Sequence, residues 1–251
     1  MYTFKKHYLC HRFTKRSLMK RILTLFFLIT FAFTAKAQKP DLPGQLLVDF
    51  GFNSWANKPT GTDLNWFQSN TFNMAYFYDL PIGDGGWTIT PGIGMSWEKY
   101  AFDNNSTIIS NISNDQRVIQ VVDLNDEFGQ NLSFDKSKLG LYYIDLPLEV
   151  RWYAKRSQYS KGFRVAAGAK ISYLYSSFTK LKFEDVLQDT RMVKDRQNLG
   201  FNRLRYGVQI RAGWGGFGFF GFYELSDKFD NAPIGGLNTS TLTWGITLTG
   251  F

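Results

Sequence analysis

Eight segments of about ten residues, each alternating apolar and polar side chains, recur between residues 46 and 250, and this rhythm constrains the fold more than any other feature. A period of two belongs to β-strands, whose successive side chains leave opposite faces. Segments of that length, joined in turn by short and long connections, predict an all-β chain: a transmembrane antiparallel up-and-down β-barrel of about eight strands with long extracellular loops.

The alternation runs through residues 46–53, 71–80, 87–98, 142–152, 163–173, 203–214, 217–225 and 241–250. In 142–152, Tyr142, Ile144, Leu146, Leu148, Val150 and Trp152 share one face, against Tyr143, Asp145, Pro147, Glu149 and Arg151 on the other. Pro91 has no N–H to give to a ladder, so a local bulge is expected there. Short turns are expected near 81–86, 154–161 and 215–216, and long loops near 54–69, 101–138, 176–200 and 226–238. With both chain ends in the periplasm, all the long loops fall outside the cell.

Alternation does not say which face is wet, and a soluble barrel or sandwich alternates too. The polar set decides for the membrane, because it is too charged for a dry core. It holds Asp49, Asp79, Glu98, Asp145, Glu149 and Glu224 against Arg151, Arg164, Lys170, Arg203, Arg205 and Arg211. An eight-stranded barrel is just wide enough for its own side chains, so these charges are expected to pair and fill the lumen. A polar pathway or small-ligand site is the competing reading. Outward aromatics cluster beside the short turns at Tyr78, Trp87, Trp152, Phe163, Trp214 and Phe217, where a periplasmic girdle at the lipid headgroups is expected.

The amino terminus supplies the export route. Lys20-Arg21, an apolar run from Ile22 to Phe33 and then Ala35-Lys36-Ala37 make a secretory signal, with cleavage expected between Ala37 and Gln38. Residues 1–37 are thus an upstream extension plus signal peptide, with Met19 the alternative start, and 38–251 form the barrel domain. Of 29 Lys and Arg residues, eight lie in 1–37, which has no acid, leaving 21 against the 21 Asp and Glu of the remainder. The formal net charge of +8 therefore belongs to the leader, and no nucleic-acid partner is expected.

Cys10, His7 and His11 are the chain's sole cysteine and histidines, and all lie in the leader. After cleavage no disulfide, Cys or His metal site, or imidazole-assisted nucleophile remains. Asp145 and Glu149 share the inner face of one segment beside Arg151 and are read as lumen packing rather than a glycosidase-type acid pair. No enzymatic activity, cofactor or metal is expected. Residues 107–124 carry two short β-rich arms about Asn114-Asp115, read as a hairpin above the membrane, with two further spanning strands as the alternative. The charged stretch 176–200 is read as a solvated surface.

The Ala-Gln cleavage site, the stretch from Tyr143 to Trp152 with its Asp145-Leu146-Pro147-Leu148, Gly168-Ala169-Lys170, Gly207, Gly213 and the terminal Phe251 resemble the PorT-like outer-membrane β-barrel family of Bacteroidota-type bacteria. The resemblance covers essentially all of the mature chain. It implies an outer-membrane address, with outer-membrane lipid and the barrel-insertion machinery as partners. Some members are similar to a component of a protein secretion system, which implies secretion-complex or surface partners. Phe251 departs from the pattern, being out of phase with Leu242, Trp244, Ile246 and Leu248 unless Thr249-Gly250 bulges.

Overall fold

The computed structural model describes residues 44–59, 61–103, 105–113, 116–128, 133–155, 162–184, 189–196, 199–230 and 239–249. The expected leader, the expected cleavage site at Ala37 and Gln38, the alternative start Met19, the expected hairpin tip at Asn114-Asp115 and the terminal Phe251 lie outside these residues.

Each alternating segment becomes a strand, and the strands close on themselves. The elements run β1 (Gln45–Ala56), β2 (Asn70–Phe77), β3 (Leu80–Ile82), β4 (Trp87–Phe102), β5 (Ser106–Ser113), β6 (Gln116–Asp123), a one-turn helix α1 (Leu124–Phe128), β7 (Ser133–Tyr153), β8 (Phe163–Glu184), β9 (Thr190–Asp195), β10 (Leu204–Trp214), β11 (Phe217–Glu224) and β12 (Ser240–Thr249). Antiparallel pairing in the order β1, β2, β4, β7, β8, β10, β11, β12 returns from β12 to β1, giving a closed barrel of eight strands. Closure leaves no membrane-level edge whose N–H and C=O groups would go unpaired in lipid. β5 and β6 pair only with each other among the described strands, so the 107–124 arms form a hairpin and the barrel stays at eight.

The exterior is apolar where the strands would cross a bilayer. Ile144, Leu146, Leu148 and Val150 of β7 are exposed, as are Leu204, Tyr206, Val208 and Ile210 of β10 and Leu242, Trp244, Ile246 and Leu248 of β12. The inward partners Asp145, Glu149, Arg151, Arg205, Gln209, Thr243 and Thr247 are buried. From Trp87 to Trp97 the outward face of β4 spans about ten residues, about 33 Å along a strand, which at a tilt of ~40° matches an apolar band ~25 Å tall.

Both ends of this band carry rings. At the short-turn end Trp87 faces Trp152 in register, Phe163 faces Trp214, and Trp214 faces Phe217. Tyr78 is exposed where β2 leads into β3. At the opposite rim, unread in the sequence, Phe52 packs against Trp66, Phe67 and Trp244, Phe72 against Trp97, and Tyr142 against Tyr175.

Three expectations are corrected. Pro91 inserts no residue: the β4 register is continuous on both sides of it, and the ladder merely lapses between β2 and β3 beside it. The missing N–H costs one bond, not a bulge. A register shift occurs instead between β7 and β8, where Tyr143 faces Leu174 but Tyr142 faces Ser176, so Tyr175 is the extra residue.

Secondly, three long loops are shorter than expected, because β1 and β4 run on to Ala56 and Phe102, β7 starts at Ser133, and β8 reaches Glu184. At 21 and 22 residues, β7 and β8 are about twice what a bilayer crossing needs. Thirdly, 176–200 is not only a solvated run, since its first part continues β8 and pairs with β9, and Thr179 and Leu181 are buried.

In these extensions the sense of the alternation inverts. Inward positions become apolar, with Trp55, Tyr100, Phe102, Leu139, Leu141, Tyr143 and Leu174 joining Ile108, Leu199, Phe201 and Phe229 in one buried cluster. The barrel therefore holds a polar interior at the level of the apolar belt and an aromatic-aliphatic core at its long-loop end.

Candidate functional site

The inward side chains of the belt form two charge networks. In the one beneath the apolar cluster, Arg205 Nη1 donates to Glu98 Oε1 at 2.5 Å, and its Nη2 lies 3.9 Å from Asp145 Oδ1. The guanidinium stacks 3.6 Å from the Tyr143 ring centroid. Tyr100 Oη donates to Glu98 Oε2 at 2.7 Å, completing that carboxylate. Asp145 also accepts from Ser96 Oγ and pairs with Lys170 Nζ at 3.7 Å, which lies 4.1 Å from the Phe222 ring centroid.

The second network lies toward the short turns. Arg211 grips Asp49 with both terminal nitrogens, at 2.7 and 2.9 Å, and gives Nε to Glu149 at 2.8 Å. Glu149 also accepts from Gln209 Nε2 and Arg151 Nε, both at 2.6 Å. Arg151 reaches Asp79 at 3.6 Å, and Asp79 accepts from Tyr153 Oη at 2.9 Å and Thr90 Oγ1 at 2.7 Å. Two-pronged guanidinium–carboxylate contacts of this kind fix geometry as well as charge.

Of the charged residues named from the sequence, Asp49, Asp79, Glu98, Asp145, Glu149, Glu224, Arg151, Arg164, Lys170, Arg205 and Arg211 face the interior. Arg164 donates to Thr249 Oγ1 at 2.5 Å and has no carboxylate contact among the described residues.

Arg203 is corrected: it is exposed, outside the lumen. It precedes β10, and the Leu204 N–H donates to Asn202 Oδ1 at 3.2 Å, a turn that takes Arg203 out of the strand's alternation. Its place is filled by Lys228, beyond the end of β11 and fully buried, with Nζ 3.1 Å from Glu224 Oε2 and 3.5 Å from Tyr100 Oη. The one sequence signal for Lys228 is its four-residue spacing from Glu224. With this exchange the described interior still carries six acids and six bases, and the net charge that burial would penalise is avoided.

Little room is left between these groups. A cavity of about 20 Å³ lies among Leu47, Arg151, Arg164, Arg211 and Thr247, and one of about 10 Å³ among Asp49, Phe77, Lys170, Gln209 and Phe220. Each is the size of one or two waters. The arrangement suits cohesion more than chemistry, since every carboxylate is held by cations or hydroxyls.

The model of the outer membrane protein beta-barrel domain matches residues 37–226. No curated protein matches the sequence. Among solved structures, a major outer membrane protein from Thermus thermophilus is similar at 10% identity, over 82% of this chain and 99% of that one, with a TM-score of 0.32. The outer membrane protein OprG from Pseudomonas aeruginosa is similar at 10% identity over 83% and 96%, with a TM-score of 0.24. A triple mutant of the Rhodopseudomonas blastica porin is similar at 11% identity over 82% and 99%, with a TM-score of 0.21. The family match spans most of the closed barrel, and with its apolar belt it places the chain: this protein belongs to the outer membrane protein beta-barrel domain family.

Proposed function

We propose that this protein is a non-enzymatic integral outer-membrane barrel with a sealed lumen, which acts through the surface it presents outside the cell. The short turns face the periplasm, and the long β7–β8 extension with the β5–β6 hairpin projects outward. The observation that carries this reading is the charge-balanced interior, six acids against six bases among the described residues, with cavities of only about 20 and 10 Å³ between them. An ion crossing it would have to break several desolvated pairs at once, and the apolar cluster above would dehydrate it. A second, transporting role has no comparable support, because the two cavities described among the lumen charges are too small for a ligand.

Planar-bilayer recording tests the seal. The wild-type protein is expected to give no reproducible unitary steps, whereas a variant with Arg211, Glu149 and Asp49 all replaced by alanine is expected to conduct. Large, uniform openings in the wild type would overturn the sealed lumen.

A further inference from the structure

On one side β8 has two partners in turn. β10 pairs with it as far as Tyr173, and β9 takes over at Thr179, so residues 175–178 face no described strand on that side. The bulge residue Tyr175 lies in the same stretch. The gap opens into an outward cleft of about 440 Å³, lined among others by Tyr173, Tyr175, Ser176, Phe201, Arg196 and Arg203. Both arginines are exposed, and among the described residues no carboxylate lines the cleft and neither arginine forms an ion pair.

The height of the cleft matters as much as its charge. Arg203 adjoins Leu204, which faces Tyr173 in register, and Leu204, Tyr206 and Val208 run from there down the exposed apolar face of β10. Above it, Tyr142 and Tyr175 belong to the aromatic ring of the long-loop rim. Arg203 thus stands where the apolar belt gives way to polar surface, and Arg196, which follows the Asp195 that faces Thr179, lines the same cleft further toward the long-loop end.

We propose that this cleft binds the phosphorylated headgroup of an outer-leaflet lipid, an inference that rests on the outer-membrane placement above. Arginine's planar fork matches phosphate oxygens two at a time, and it sheds water more readily than an ammonium. The tyrosines give the amphipathic walls that headgroup level favours. The cleft has the volume of a ligand site, far more than one inorganic phosphate fills, and the Leu204–Val208 face below it accepts the acyl chains.

The test is native mass spectrometry of the detergent-solubilised full-length protein with a bis-phosphorylated glucosamine lipid, its dephosphorylated counterpart and inorganic phosphate. The phosphorylated lipid is expected to bind at least about tenfold tighter than the dephosphorylated one, and R196Q/R203Q is expected to lose that preference. Inorganic phosphate at millimolar levels is expected not to displace it. Displacement at comparable concentrations would overturn the lipid assignment and leave a soluble phosphate as ligand. Equal binding of both lipids, or an unaffected R196Q/R203Q, would overturn the site. The variant must keep the wild type's heat-dependent gel shift, and a wild type lacking that shift would overturn the membrane placement instead.

Discussion

Replacing Arg205 by alanine is expected to destabilise the barrel by about 3–5 kcal/mol, the cost of leaving a buried carboxylate without its partner. The Arg205 and Glu98 side chains are 1% and 2% exposed, so water cannot solvate what the substitution strands. Asp145 retains Lys170 and Ser96 and is less affected, which makes Glu98 the main loser. The pairing is tested by R205M/E98Q, which removes both charges and keeps most of the volume; it is expected to recover more than half of the loss, because a neutral pair carries no stranded charge. Unfolding by urea in lipid vesicles reads both values. A loss below about 1 kcal/mol for R205A would mean that the lumen is wet enough to screen its charges, as at a surface.

Gly245→Val is expected to abolish the folded, heat-shifting form. Gly245 faces Gly51 across the β1–β12 seam, and a Cβ built on it would lie 2.1 Å from the Phe50 carbonyl oxygen and 2.4 Å from the Gly51 Cα. These are backbone atoms of the neighbouring strand, so relief requires separating the first strand from the last, where the barrel closes. That exceeds the usual cost of an overpacked core, about 1–3 kcal/mol, because no side chain is free to turn aside. Gly221→Ala is the control: its Cβ would meet nothing nearer than Ile210 Cγ1 at 3.4 Å, and the variant is expected to fold normally. A folded Gly245→Val would contradict the seam as described.

The membrane-level strands were legible because lipid and lumen impose opposite demands on alternate residues. In 142–152 no other environment accepts Ile144, Leu146 and Leu148 outward with Asp145 and Glu149 inward. The extensions were not legible, for two physical reasons. The extra residue Tyr175 reverses the phase of β8, so Leu181 points inward although it is out of step with Lys170 and Ser172. In upper β7 the phase continues but the solvent changes, and Leu139 and Leu141 face inward while Lys138 lies on the outward register.

The charge inventory was legible in kind, but its partnerships were not. Glu98 meets Arg205, and Asp49 meets Arg211, through registers set by strands far apart in the chain. Nor does alternation reach past a strand's end, so it carries no signal that Arg203 lies outside the lumen or that Lys228 lies within it.

Sidedness is the central claim, and a spin-label scan along β7 tests it directly, since Cys10 is the chain's sole cysteine and residues 38–251 therefore offer a cysteine-free background. Single cysteines would be placed from Lys138 to Trp152 and labelled in folded protein in vesicles. Collisions with dissolved oxygen, which concentrates in lipid, are expected to peak at Ile144, Leu146, Leu148 and Val150, while Lys138 responds to a water-soluble relaxation agent instead. Oxygen maxima at Tyr143, Asp145, Pro147 and Glu149, or water-soluble agent reaching every position alike, would contradict a lipid-facing belt around a closed polar interior.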